Sequence, residues 1–180
     1  RKADSVPVER GWPARTVEPT PPRPLRPSRT EDEPTVASPL SDDSDRFKRG
    51  RILHALLQTL PDLPSDARPT AMAAYLAESA HDLSAAQQSE IGGEVLAILN
   101  HPDFAHLFGP GSRAEAPIVG DVGTFEPCVI SGQMDRLLVT DTTVTIVDFK
   151  TNRPPPKDET GVAEVYLRQM AAYRAALRQI

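Results

Sequence analysis

The run GQMDRLLVTDTTVTIVDFKTNRPPP, Gly132 to Pro156, constrains the fold of this chain more than any other segment. Its second half, Thr143 to Lys150, is rich in β-branched and aromatic residues and lacks glycine and proline, which predicts a strand. Alternation along a strand puts Val144, Ile146, Asp148 and Lys150 on one face and Thr145, Val147 and Phe149 on the other. Both faces are largely apolar, so the strand is expected in the middle of a sheet covered on each side, its charged end opening on a cleft. The preceding run CVISGQMDRLLV, Cys128 to Val139, predicts a second strand, and Thr140 to Thr142 a turn that closes an antiparallel hairpin. That pairing carries Asp135 towards Asp148.

Two carboxylates meeting beside a lysine suit phosphodiester hydrolysis. Hard oxygen donors favour magnesium or manganese, which polarise a phosphate and lower the pKa of an attacking water. Lys150, on the face of Asp148, is placed to orient that water or to stabilise charge developing on phosphorus. By itself a D-x-K tripeptide is more often a solvated charge pair at a strand end. Two helical segments add to it. RFKRGRILHALLQTL, Arg46 to Leu60, reads as an amphipathic helix with Asp43, Ser44 and Asp45 as candidate caps and Pro61 ending it. Phe47, Gly50, His54 and Leu57 fall on one stripe, which turns His54 to the packed side. A lone helical histidine is more often packed or hydrogen-bonded than metal-bound, but beside a candidate metal site it becomes a candidate ligand. In the last helix, Gly161 to Ile180, Gln169 lies within an apolar stripe and four residues before Tyr173. An amide in that position needs polar partners, either catalytic groups or solvent at the border of the stripe.

Taken together, G-R-x-x-H (Gly50 to His54), G-Q-M-D-R (Gly132 to Arg136), V-D-F-K-T (Val147 to Thr151) and Y-L-R-Q-M-A-A-Y (Tyr166 to Tyr173) closely resemble the nuclease domain of the AddA family. AddA is the helicase-nuclease subunit of bacterial AddAB, and its nuclease domain is similar to that of RecB. The resemblance covers roughly Arg46 to Ile180, and PLRPSR, Pro24 to Arg29, looks like the linker that precedes the domain in that family. It implies a restriction-endonuclease-like PD-(D/E)xK core, an α/β fold whose mixed sheet is flanked by helices. It also implies one or two magnesium ions, with manganese as the substitute, held by His54, Asp135, Asp148 and the Phe149 carbonyl. Lys150 would be the catalytic lysine, and Gln169 and Tyr173 match the family's Q-x-x-x-Y helix. Met134 stands where the name-giving motif has proline. Glu115, in AEAPIVG, matches an acidic residue that often opens the preceding strand, or is a surface residue at a strand start.

Composition bounds the alternatives. Residues 1–42 are proline-rich, with Pro7, Pro13, Pro19, Pro21, Pro22, Pro24, Pro27, Pro34 and Pro39 and few core-forming side chains, so they read as a linker. Trp12 and Leu25 are its candidate docking residues. The resemblance then implies a nuclease domain, truncated at its C-terminal end, over residues 43–180. The single cysteine, Cys128, excludes an intrachain disulfide and a cysteine-ligated iron–sulfur cluster held by this chain alone, which sets it apart from AddB-type nuclease domains. No apolar run is long enough for a membrane helix and no secretory signal is present, so a cytoplasmic protein is the simplest expectation. A net charge of −5 does not advertise a nucleic-acid binder, but DNA contact depends on the local field. Arg136, Lys150, Arg153, Lys157, Arg168 and Arg174 flank the proposed cleft in sequence as phosphate-binding candidates, with Arg174 and Lys157 the weaker ones.

Arg68 to Ala80 and Ser84 to Asn100 read as further helices, the second opened by a capping box of Ser84 and Gln87 and interrupted in composition by Gly92 and Gly93. His101 to Gly111 reads as the loop leading into the strands. Cores of this kind run helix, three strands, helix, strand, whereas this sequence stops inside the last helix and starts inside a linker without methionine. The expectation is a C-terminal piece of a longer helicase-nuclease, with its final strand downstream. ATP would be used only by motor domains upstream, since no Walker lysine motif occurs here. The function expected is magnesium-dependent exonuclease action on DNA during double-strand break repair, with an AddB-like partner subunit. The alternative is a catalytically inactive nuclease-like module for DNA binding or subunit docking. A free-standing restriction-type nuclease fits the linker and the ends less well.

Overall fold

The computed structural model describes residues 26–27, 43–121 and 128–180. Helices α1 (Asp43–Thr59), α2 (Arg68–Leu76) and α3 (Ala85–Asn100) come first, strands β1 (Ser112–Asp121), β2 (Val129–Val139) and β3 (Val144–Val147) follow, and helix α4 (Glu164–Leu177) ends the order. The sheet runs β1-β2-β3 and is antiparallel throughout the described residues. The linker expected over residues 1–42, with Trp12 and Leu25, lies outside the described residues except for exposed Arg26 and buried Pro27.

Two apolar cores organise these elements. In the first, Ile52, Leu53, Leu56, Leu57 and Leu60 of α1 and its following turn pack on Met72 and Leu76 of α2, Ile91, Val95 and Leu99 of α3, and Phe108. Each such leucine, once buried, stabilises the fold by about 1.5–3 kcal/mol. Gly92 lies at the α2–α3 contact, where a Cβ would stand 2.9 Å from Met72 Cε, the flexible end of that side chain. The capping box is present, with Gln87 N–H donating to Ser84 Oγ and Ser84 N–H to Gln87 Oε1. The stripe of α1 is rotated from the one the spacing suggests. Apolar density at 52, 53, 56, 57 and 60 decides what is buried, so Phe47 is 71% exposed and His54 sits at the stripe's half-buried border.

In the second core, Ala116 and Ile118 of β1 and Ile130 and Met134 of β2 lie against Tyr173 and Ala176 of α4. Small residues let the helix lie close: a Cβ on Gly120 would meet Ala176 Cβ at 3.0 Å, and one on Gly132 would meet the Tyr173 ring at 2.7 Å. The expected antiparallel hairpin forms, with Val139 opposite Val144 and Arg136 opposite Val147, so that Thr143 joins Thr140 to Thr142 in the connection. Its turn is closed by Thr140, whose N–H donates to the Thr143 carbonyl at 2.9 Å and whose Oγ1 accepts from Thr143 N–H at 3.0 Å.

Strand β3 departs from expectation in two respects. Ladder pairing stops at Val147 instead of continuing to Lys150, because the next inward N–H, that of Phe149, donates to the Asp135 side chain and not to a β2 carbonyl. And β3 is an edge, not a central strand, of the described sheet. Coverage on both sides nonetheless survives. Ile146 packs in the core shared with α4, while Phe149 packs against the helical core, stacked on Phe108 with ring centroids 6.3 Å apart.

Candidate active site

The site lies at the seam between the two cores, where α1, β2, the segment after β3 and α4 each contribute a side chain. Alternation continues past the end of β3 and sorts the segment. Phe149 turns to α1, where its ring meets that of His54 edge-on at 5.8 Å. Asp148 and Lys150 turn to α4, where Gln169 Nε2 donates to Asp148 Oδ1 at 2.9 Å and the Lys150 ammonium lies 4.9 Å from the Tyr166 ring centroid. Lys150 also forms an ion pair with Asp148.

Asp135 projects from β2 to the other half of the seam. Its Oδ2 accepts from Phe149 N–H at 2.5 Å, and its Oδ1 lies 3.5 Å from His54 Nδ1. His54 Nε2 donates to the Phe149 carbonyl at 3.0 Å. With both ring nitrogens so engaged, the imidazole pKa is raised above its ordinary value, chiefly by the hydrogen bond to Asp135 and against the effect of burial. Glu115 stands across from Asp135 on β1, with a left-handed φ of 50° at the gap in the β1–β2 register. Burial, and secondly the Asp135 charge, raise its pKa. Glu115 thus belongs electrostatically to the acid cluster.

Gln169 and Tyr173 are both buried, and the Gln169 amide also reaches Tyr173 Oη at 3.4 Å. The Tyr173 hydroxyl donates to the Gln133 carbonyl at 3.1 Å, which ties α4 to β2 one residue beyond the glycine that admits its ring. A polar amide in the stripe of α4 therefore has a carboxylate partner, Asp148, and not solvent.

These contacts gather the six side chains singled out in the sequence into two adjoining sets, His54 and Asp135 with the Phe149 backbone, and Asp148 with Lys150, Gln169 and Tyr173. The donor set is rich in hard oxygens, Asp135, Asp148, Glu115 and the Phe149 carbonyl, and so fits a divalent cation such as magnesium chemically. Among the described residues no three His, Cys, Asp or Glu side chains converge tightly enough to form a ready metal cage. The reason is visible in the bonding: Asp135 is committed to His54 and the Phe149 amide, whereas Asp148 is committed to Lys150 and Gln169.

The basic residues behave differently from their grouping in sequence. Arg136 is 1% exposed and donates to the Leu57 carbonyl at 3.0 Å and to Ser112 Oγ at 2.9 Å, with its guanidinium 5.0 Å above the Phe108 ring. It caps the C-terminal carbonyls of α1 and is not available to phosphates. Arg153 pairs with Glu90 and Glu94 of α3, and Arg168 with Glu164 one turn before it. Lys150, itself paired with Asp148, and Lys157 line an open cavity of about 650 Å³ that Asp148 also lines. Sequence reasoning missed Tyr166 and Asn152 at this cavity, bonded through Tyr166 Oη to Asn152 Oδ1 at 3.1 Å. The available signal was the i, i+3 relation of Tyr166 to Gln169, which puts both on one side of α4.

The PD-(D/E)XK nuclease superfamily matches residues 29–180, a span that holds every residue of the site. No curated protein matches the sequence. Among the described residues the α/β architecture of three antiparallel strands and four α-helices is consistent with the core of that superfamily, whose members are generally nucleases that use divalent metal ions. No helix among the described residues is long and apolar enough to cross a membrane.

Proposed function

We propose a function from the family: the chain belongs to the PD-(D/E)XK nuclease superfamily, and its reading here is a magnesium-dependent DNA exonuclease domain. What supports it is the convergence of His54, Asp135, Asp148, Lys150 and Gln169 from four separate elements onto one seam. His54, Asp135, Asp148 and the Phe149 carbonyl would hold the metal, with Glu115 adding negative field. When bound, a divalent cation supplies polarisation of the phosphate and a lowered pKa for the attacking water.

The chain's own groups do the rest. Lys150 sets its ammonium beside Asp148 to stabilise negative charge developing on the phosphoryl oxygens. Gln169 fixes the rotamer of Asp148 through one hydrogen bond donated by its side-chain amide, and Tyr173 braces Gln169 against β2. The wider reading is the AddA-like one. The domain serves a helicase-nuclease subunit in double-strand break repair, takes a strand fed by upstream motor domains, and works with an AddB-like partner. The resemblance of the four motifs supports it. Residues 1–42 then act as the linker to those motors.

Exonuclease action is tested on two substrates of one sequence, a linear duplex and a covalently closed circle, incubated with the protein in magnesium and in EDTA. Degradation of the linear form alone, and only in magnesium, is expected. Cutting of the closed circle would contradict the exonuclease assignment, and survival of both forms in magnesium would favour the inactive, DNA-binding module.

A further inference from the structure

The cavity of about 650 Å³ beside Asp148 and Lys150 is of the size that binds organic ligands, yet a phosphate needs far less room. Asp148, Lys150, Asn152 and Lys157 line part of it, and the rest of the lining is largely apolar or aromatic: Tyr166, Leu167 and Met170 of α4, and the run Pro154 to Pro156. Those apolar walls do nothing for a phosphate. They suit the flat face of a nucleobase, because every base offers a π surface to aromatic and aliphatic contacts. Tyr166 is fixed for that purpose, its hydroxyl bonded to Asn152 Oδ1 at 3.1 Å and its ring under the Lys150 ammonium. Leu167 is 51% exposed, so its side chain is accessible to a base entering the cavity.

We infer that this cavity is a nucleobase subsite that seats an unpaired base next to the phosphate at Asp148 and Lys150, with Tyr166 as its aromatic contact. The inference rests on the nuclease reading, since the phosphate's position defines which base is adjacent. A base stacked and paired within a duplex cannot enter a side cavity without leaving the stack. The subsite therefore selects single-stranded or frayed DNA, and its stacking contact accepts any base, since every base has a π face.

The test is equilibrium binding of the intact protein to short single strands carrying 2-aminopurine, with calcium replacing magnesium and electrophoresis verifying that the strands remain whole. Wild type should change the probe's emission and bind a base-bearing strand about tenfold more tightly than the same strand with an abasic residue at the probe position. Tyr166→Ala and Leu167→Glu should abolish both effects, whereas Tyr166→Phe should retain them. Leu167→Glu matters because it leaves the Lys150–Tyr166 contact in place. Equal affinity for base-bearing and abasic strands, or an emission change that survives both Tyr166→Ala and Leu167→Glu, overturns the subsite. Cleavage by wild type in magnesium is scored separately: its absence would sink the nuclease reading, while the fluorescence result would still decide the subsite.

Discussion

Gln169 holds one oxygen of Asp148 through a 2.9 Å bond while itself 5% exposed, so the carboxylate cannot rotate freely. Losing a bond to a charged group costs about 1.5–3 kcal/mol. In Gln169→Ala that loss falls on the orientation of Asp148, and the single-turnover cleavage rate is expected to drop by roughly ten- to a hundredfold. Folding, followed by circular dichroism, should persist; an unchanged rate would remove Gln169 from the site. Gln169 was legible in sequence because a polar residue interrupts an apolar stripe. Glu115 was legible only as an acid at a strand start. Its left-handed φ and its coupling to Asp135 depend on a cross-strand register that no local pattern reveals.

At the scale of elements, the hairpin and the capped α3 follow from local rules, since turn chemistry, β-branching and capping act within a few residues. What local rules missed were contacts between elements. Arg136 reads in sequence as one basic residue among several near the cleft, but its partners Leu57 and Ser112 come from α1 and β1. The rotation of α1 and the early end of β3 have the same origin, because both are set by what the helical core and Asp135 take up. Arg136→Ala should leave the α1 carbonyls and a space beside Phe108 unsatisfied, lowering stability in urea by about 1–3 kcal/mol. The salt dependence of DNA binding should stay unchanged, since the guanidinium meets no phosphate. A weaker salt dependence with undiminished stability would restore Arg136 to the DNA interface.

At the scale of the whole molecule, the site is the joint between a helical core and a sheet core, with ligand candidates on both sides: His54 on α1, Asp135 on β2 and Asp148 beyond β3. A cation held across that joint binds the folded state alone and stabilises it by mass action, about 2.7 kcal/mol at a hundredfold excess over Kd. Magnesium is thus expected to raise the melting temperature of wild type by several degrees, and His54→Ala should shrink that rise. An equal rise in His54→Ala would exclude the histidine as a ligand. The joint was legible in sequence only through the resemblance of four separated motifs, since nothing within any one of them encodes the distance to the others.

We propose that Asp148 belongs to a working phosphodiesterase site. The most direct test is the magnesium-dependent degradation rate of linear DNA by wild type and Asp148→Ala, purified identically and matched for folding by circular dichroism. Wild type should degrade the DNA and Asp148→Ala should be slower by at least about a hundredfold. Equal rates in the two proteins would contradict the account.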